Sequence, residues 1–452
     1  MKTRIVNKDL GKVMGVLLFY LFTFMPLTAQ TYSLQQLKDS ALKNNIAIRD
    51  AQNAIDAAQQ QRKEAFTKYF PNISANGGWF NANKNIISRT IYPSDYVPTS
   101  VAAALAQMLP PQALVDLTNP IPVNLIKDGA LAGVKAIQPV FAGGQIVNNN
   151  RLARVGVEAT RLQLQLSENE VEKQTEQYYW KLVTLEEKMS TIKAVEELLA
   201  DIYKDVDVAV RAGLIMRNDL LQVQLRQNDI QSQKLKLQNG ISIVQKLLAQ
   251  YCGLDTDAIT VKKEDIIATV PVETSGNLMD LAEYQLLQKQ VDAAHLKKLI
   301  TVGQSMPTVA VGAGYNYYKI NDMNRNFGMV FATVNVPISD WWGGSHAIKR
   351  KKIEERKAEE ELADKAELLN IRMVKAWNDV TEAYQQLSIA QRSIEQAEEN
   401  LRLNRDYYRA GTSRMSDLLE AQMLYQQARD QQTDAYADYQ NKRLEYRIAT
   451  GK

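Results

Sequence analysis

Residues 211–224 read RAGLIMRNDLLQVQ, and residues 409–422 read RAGTSRMSDLLEAQ. Arg-Ala-Gly, an Asp and a Leu-Leu pair recur 198 positions apart, each time between long stretches rich in Gln, Ala, Leu, Glu and Lys. One turn is written twice, each time between two long polar helices. That duplication organises the rest of the 452-residue chain, which has room for two or three domains.

Outward from the turns, the two copies follow one plan. Copy one opens with a helical stretch from Ser33 to Tyr69 that stops at Pro71, and copy two with Leu278–Gln304 that stops at Pro307. Each proline is followed by period-2 alternation, the pattern of a strand with two unlike faces. In PTVAVGAGYNYYK (307–319), Val309, Val311, Ala313, Tyr315 and Tyr317 share one face. Its partner GMVFATVNVPI (328–338) puts Val330, Ala332, Val334, Val336 and Ile338 together. Copy one repeats the pair at 71–82 and 129–141, with Gly143-Gly144 and Gly343-Gly344 marking the exits. An insertion, 83–128, rich in proline, separates the first two strands.

After each Gly-Gly comes a helix of about 65 residues, which at 1.5 Å per residue reaches about 100 Å and needs neighbours along its length. In the second, Met373, Val380, Leu387, Ile394 and Leu401 fall one heptad apart, with Ala376, Ala383, Ala390 and Ala397 between them. A large residue alternating with Ala at 3-4 spacing is a coiled-coil seam. An ordinary antiparallel coiled-coil hairpin would carry the same pattern. The helices after the turns are about 54 Å long, and each, added to the short opening helix of its copy, approaches the long helix in length. The expected division is therefore 1–30 as an export signal, 31–253 as repeat one with its helical hairpin at 144–252, 254–277 as a linker collaring the helices, and 278–452 as repeat two with its hairpin at 344–450.

The first 30 residues carry Lys2, Arg4, Lys8 and Lys12 before the apolar run VMGVLLFYLFTFMPL, with cleavage expected near Ala29 or Gln30. The run is short for a retained span of about 20 residues, which is the alternative. Without residues 1–30 the chain has 50 basic and 50 acidic residues, so its formal charge of +3 gives no case for nucleic acid. Cys252 stands alone, so packing or assembly has to supply stability. His295 and His346 lack Cys or carboxylates at metal-ligand spacing, and the glycine clusters lack a phosphate-binding G-x-x-x-x-G-K-[ST]. No enzyme, metal or cofactor is expected.

Four strands with one apolar face have open edges and no core of their own. Strands of this length with aromatics near their ends, such as Trp341-Trp342, suit a membrane barrel, whose strand numbers are even and start at eight. Several chains would share it. A small soluble sheet capped by helices is the competing arrangement.

On the duplicated turn motif, the helix–hairpin–helix plan and DLAEYQLLQKQVDAA (280–294), the mature chain resembles the TolC-type outer-membrane efflux channel family. The resemblance implies a mainly α protein with a transmembrane β section: a homotrimer in which duplicated coiled-coil hairpins form an α-barrel and four strands per chain make a 12-stranded β-barrel. It implies an outer-membrane location with a long periplasmic extension, and passive conduction for a tripartite efflux or type I secretion system. The partners it implies are a periplasmic adaptor (membrane fusion) protein and an inner-membrane pump of RND, ABC or MFS type. The turns would be hairpin tips that meet the adaptor through Arg211, Gly213, Leu214, Arg409, Gly411 and Thr412, with both glycines in left-handed helix-end positions. Asp417 and Glu420 match the family's acidic constriction rings, Tyr408 a constriction tyrosine, and Asp219 the copy-one acid that helps hold the closed state. Ser413 stands where the family has the basic partner of that latch, so Arg414 or Arg217 would have to replace it. Helix capping or plain solvation would also account for each of these residues. An exported structural or adhesin protein with a β anchor is the competing function; it leaves the duplicated strand pairs and the matched Asp-Leu-Leu unexplained.

Overall fold

The structure is a computed structural model that describes residues 31–110, 119–256, 259–262, 269–274, 276–320 and 323–452. The expected export signal lies outside them. Two compact units emerge, and neither is a repeat. Of the described residues, the helical unit takes those from 31 to Asp56, Glu158–Lys289 and Glu360–Lys452, and the strand-bearing unit those within Ala57–Val157 and Gln290–Glu359.

Strand β1 (Thr31–Tyr32) leads into helix α1 (Leu34–Asn44) and helix α2 (Ile46–Thr67). Ser33 caps α1 in a reciprocal box with Gln36, satisfying two backbone donors that the helix start leaves open. The expected single helix breaks at Asn45, whose backbone is extended. Its side-chain oxygen accepts from the Ala47 N–H at 2.8 Å, and its amide nitrogen donates to the Tyr251 carbonyl at 2.9 Å. One asparagine thus starts α2 and satisfies the C-terminal end of α5 (Arg217–Cys252), which closes at the left-handed Gly253.

In the strand-bearing unit, β2 (Asn72–Asn81), β5 (Asp128–Ala142), β7 (Thr308–Ile320) and β8 (Met323–Asn335) form one antiparallel sheet in the order β2-β5-β7-β8. The strand pairs of the two copies join at β5 and β7. Register aligns Ile73, Trp79, Val134, Val311, Tyr315, Val330 and Val334 on one face, all of them exposed. The other face mixes Ser74, Asn76, Lys135, Gly314 and Asn316 with the exposed apolar Leu131, Phe327 and Met329. There Phe331 lies across Gly312 and Phe80 across Gly129, close enough that a Cβ on either glycine would strike the ring. β8 begins at Met323, five residues before the expected 328, and stops at Asn335. The insertion between β2 and β5 contains β3 (Ile87–Ile91), α3 (Thr99–Met108) and β4 (Ile121–Ile126). β3 and β4 pair antiparallel and continue the β2–β5 hydrogen bonding through Ala82 and Ile86.

The chain leaves the sheet by α4 (Gln145–Arg211), followed by α5 and, in copy two, by α7 (Asp340–Arg409) and α8 (Met415–Thr450). Gly143 and Gly144 take positive φ as a turn, and the Gly143 Cα lies against the backbone of Gly303, where no side chain would fit. Gly343-Gly344 behave differently: α7 already starts at Asp340 and runs through them. An acid in the first turn suits the helix dipole, and the Trp341 indole N–H donates to the Ser305 carbonyl at 2.9 Å.

The helical unit holds the core. Val380, Ala383, Leu387, Ala390 and Ile394 of the heptad seam are buried, as are Leu182, Met189, Ile192, Leu199 and Val206 of copy one. One cluster centres on Leu37, Tyr179, Trp180, Leu248 and Tyr439, and another on Ile192, Leu199, Val223, Ile230 and Met415. The connector after α5 pairs its short strand β6 (Thr260–Val261) in parallel with β1. The hydroxyls of Tyr179, Tyr439 and Tyr446 then strap it down by donating to the carbonyls of Lys262, Thr269 and Thr274. Helix α6 (Ala282–Gln304) opens copy two after a 3-10 turn at Leu278–Asp280. No described helix is long and apolar enough to cross a membrane.

Candidate functional site

Both Arg-Ala-Gly turns close with the same hydrogen bonds. Leu214 N–H donates to Ala209 O at 2.9 Å and Gly213 N–H to Val210 O at 3.0 Å. Thr412 N–H donates to Tyr407 O at 3.0 Å and Gly411 N–H to Tyr408 O at 3.0 Å. This is the double bond of a Schellman end, which needs a left-handed residue; Gly213 sits at φ 74° and Gly411 at φ 73°. A Cβ at either position would meet open space. Substitution by alanine should therefore cost only the backbone term, about 1 kcal/mol in each turn. Amide exchange at Ala212 and Ala410 in Gly213→Ala and Gly411→Ala should speed up about equally, and a much larger effect at one turn would show that the two are not equivalent.

The tips lie together around a cleft of about 920 Å³ within the helical unit. Asp219, Tyr408, Leu214, Arg409, Gly411 and Arg414 all line it, so six of the expected residues converge. Asp417, Glu420, Arg217, Arg211, Gly213 and Thr412 do not line it. Arg211 instead pairs with Asp207 one turn back at 2.8 Å. Burial, then the charges of Asp219 and Asp205, push the Tyr408 phenol upward, so it stays a hydroxyl and a donor at neutral pH.

Asp417 is the third residue of α8 and is occupied locally. Its carboxylate accepts from the Arg414 N–H at 3.2 Å and from the hydroxyls of Ser416 at 3.1 Å and Ser413 at 3.4 Å. The Arg414 N–H first, and the serine hydroxyls after it, hold the carboxyl below the usual aspartate range. A depressed carboxyl stabilises the fold above its unfolded pKa and loses that contribution as pH falls through the folded value. Ser413, which replaces the expected basic partner, thus faces Asp417. Glu420 is exposed one turn further on. Of the two candidate latch arginines, Arg414 shares the cleft with Asp219, as does Arg405, which sequence reasoning did not single out.

Sequence reasoning also missed a polar ladder joining the two copies beside the cleft. Arg226 of α5 donates to Gln422 at 2.9 Å and Gln426 at 2.8 Å on α8, and Gln426 donates to Gln233 at 2.8 Å. Gln422 is fully buried. The one available sign was the i, i+4 spacing of two glutamines, which is indistinguishable from a solvated face. His295 contacts Glu355 at 2.6 Å in an ion-pair cluster with Lys298, and no group of three metal-ligating side chains occurs among the described residues.

Residues 281–452 match the family described as outer membrane efflux protein. No curated protein sequence matches. Among solved structures, the CmeC outer membrane channel of Campylobacter jejuni superposes with a TM-score of 0.76 at 14% identity, over 92% of this chain and 85% of that one. VceC of Vibrio cholerae gives 0.71 at 13%, over 92% and 96%. The MtrE outer membrane channel of Neisseria gonorrhoeae, solved in its open state, gives 0.71 at 14%, over 92% and 88%. These likenesses establish a shared fold.

Proposed function

From a chain with the fold of the TolC-type outer-membrane efflux channels and their family signature over residues 281–452, we propose an outer-membrane duct that conducts substrate passively for an inner-membrane pump. The observation that carries this is the sheet. An exposed apolar stripe, Ile73, Val134, Tyr315, Val330 and Val334 among it, runs across all four strands, and the edge strands β2 and β8 run in opposite directions. Copies related by rotation would join β8 to a neighbour's β2 antiparallel, so the sheet closes without an unpaired edge. Three copies give twelve strands, within the even-numbered range of membrane barrels. The barrel lies in the outer membrane, and the helical unit extends into the periplasm.

The paired tips of the helical unit offer two near-identical turns per protomer to a periplasmic adaptor, which in turn meets a pump of RND, ABC or MFS type. Arg211, Gly213 and Leu214 are the docking residues of the first tip, and Arg409, Gly411 and Thr412 those of the second. Asp417, Glu420, Tyr408 and Asp219 form the constriction, and Arg414 or Arg217 supplies the latch. The shared cleft favours Arg414. Acidic side chains repeated about an axis attract cations.

Single-channel recording in a planar bilayer tests this. The wild-type protein should give a small, cation-selective conductance, and Asp417→Ala/Glu420→Ala a larger and less selective one. An unchanged double variant would remove these residues from the constriction and keep the channel. Confirmed insertion without conductance in either protein would favour a structural or adhesive role.

A further inference from the structure

We propose that the start of α7 is a binding surface for anionic phospholipid headgroups at the membrane edge; this rests on the barrel reading above. Helix α7 begins Asp-Trp-Trp-Gly-Gly-Ser-His-Ala-Ile and then runs Lys349-Arg350-Lys351-Lys352. At 100° per residue four consecutive cations encircle a helix, and the structure shows how they divide. Lys351 is half-buried and pairs with Glu354 at 2.6 Å. Lys298 from α6 holds Glu355 at 2.6 Å. Both nearby carboxylates are thus already engaged.

Lys349, Arg350 and Lys352 are exposed, and only Arg350 has a partner among the described residues, Glu354 at a loose 3.8 Å. All three lie on the half of the helix centred on Trp342, opposite Lys351. Trp342 is 75% exposed and Ile353, on the same face, 64% exposed. An aromatic followed by long cations about 10–15 Å further along the axis matches the order of a membrane edge, where the indole sits at the interface and the lysines reach back to headgroups.

The helix-to-strand junction before β2 repeats the chemistry independently. At the end of α2, Phe66 stacks edge-on against Tyr69 at 5.6 Å and Phe70 at 5.5 Å, all exposed, with Lys63 and Lys68 beside them. Charge complementarity and continuity with the apolar sheet face select a lipid with a net negative headgroup over a zwitterionic one.

The test compares spin-labelled phosphatidylglycerol with spin-labelled phosphatidylcholine at the boundary of the full-length protein in phosphatidylcholine vesicles. The wild type should prefer phosphatidylglycerol about three- to five-fold. Lys349→Gln/Arg350→Gln/Lys352→Gln should bring the ratio close to one, and Lys349→Arg/Lys352→Arg should keep it. No preference in the wild type, or a preference that survives the glutamine variant, overturns the lipid site alone. Absence of motionally restricted lipid of either kind would show that the sheet does not meet the bilayer, and would sink the barrel and the lipid site together.

Discussion

Val330→Arg is expected to prevent the protein from assembling in the outer membrane, while Met329→Arg, one residue away, is expected to be tolerated. Both side chains sit near the middle of β8, paired across to Ala313 and Gly314. They differ in face. Val330 is 86% exposed and lies in the aligned apolar stripe with Ile73 and Ala313, whereas Met329 shares its face with Ser74 and Lys135. An arginine on the lipid face at mid-membrane costs about 2–4 kcal/mol, so the three copies of the proposed trimer would lose about 6–12 kcal/mol. A lumen-facing arginine stays in water and costs little. Fractionation of membranes, with the heat-sensitive trimer band as readout, decides it. The reverse pattern would invert the faces, and tolerance of both would take the sheet out of the bilayer.

How much of this was open to sequence reasoning follows from the range of each interaction. The duplicated turns could be found because a Schellman end is local: Gly213 and Gly411 are set by bonds within five residues. Strands β2, β5 and β7 were legible because alternation and a leading Pro71 or Pro307 are local too. β8 was cut short at its start, since Asn324-Arg325-Asn326 reads as turn chemistry until Tyr317 and Tyr318 of the neighbouring strand are seen to pair with it. The break at Asn45 was missed for the same reason, as its partner carbonyl, Tyr251, lies 206 residues away. Gly343-Gly344 misled in the other direction: a pair that punctuates copy one is absorbed into a helix in copy two, where Trp341 anchors the turn to Ser305. At the tips, sequence matching named six of the residues that line the cleft and left Asp417 and Glu420 outside it. It could not see that Asp417 spends its carboxylate on Arg414, Ser413 and Ser416, nor that Arg226 reaches across to the other copy.

Within the helical unit the largest single loss is expected at Lys38→Met. Lys38 pairs with Glu176, their side chains only 8% and 9% exposed, and Glu176 also accepts from the Trp180 indole at 3.3 Å. Trp180 is packed edge-on against Tyr179 and Tyr436 at 5.0 and 5.4 Å, so neither water nor another cation has an easy way in. The pair itself need not be strongly stabilising, because withdrawing two charges from water offsets much of their attraction. Removing one partner is different: Glu176 is left buried and uncompensated, at a cost of about 3–5 kcal/mol. Lys38→Met should therefore lower the urea midpoint of the detergent-solubilised protein sharply. Lys38→Met/Glu176→Gln should recover most of the loss, because a neutral amide can still accept from Trp180 and no longer needs a counter-charge. A double variant as unstable as the single one would mean that Lys38 matters through the packing of its stem along α1, not through its charge. Equal stability of all three proteins would mean that the Glu176 carboxylate finds water or a substitute partner around Trp180.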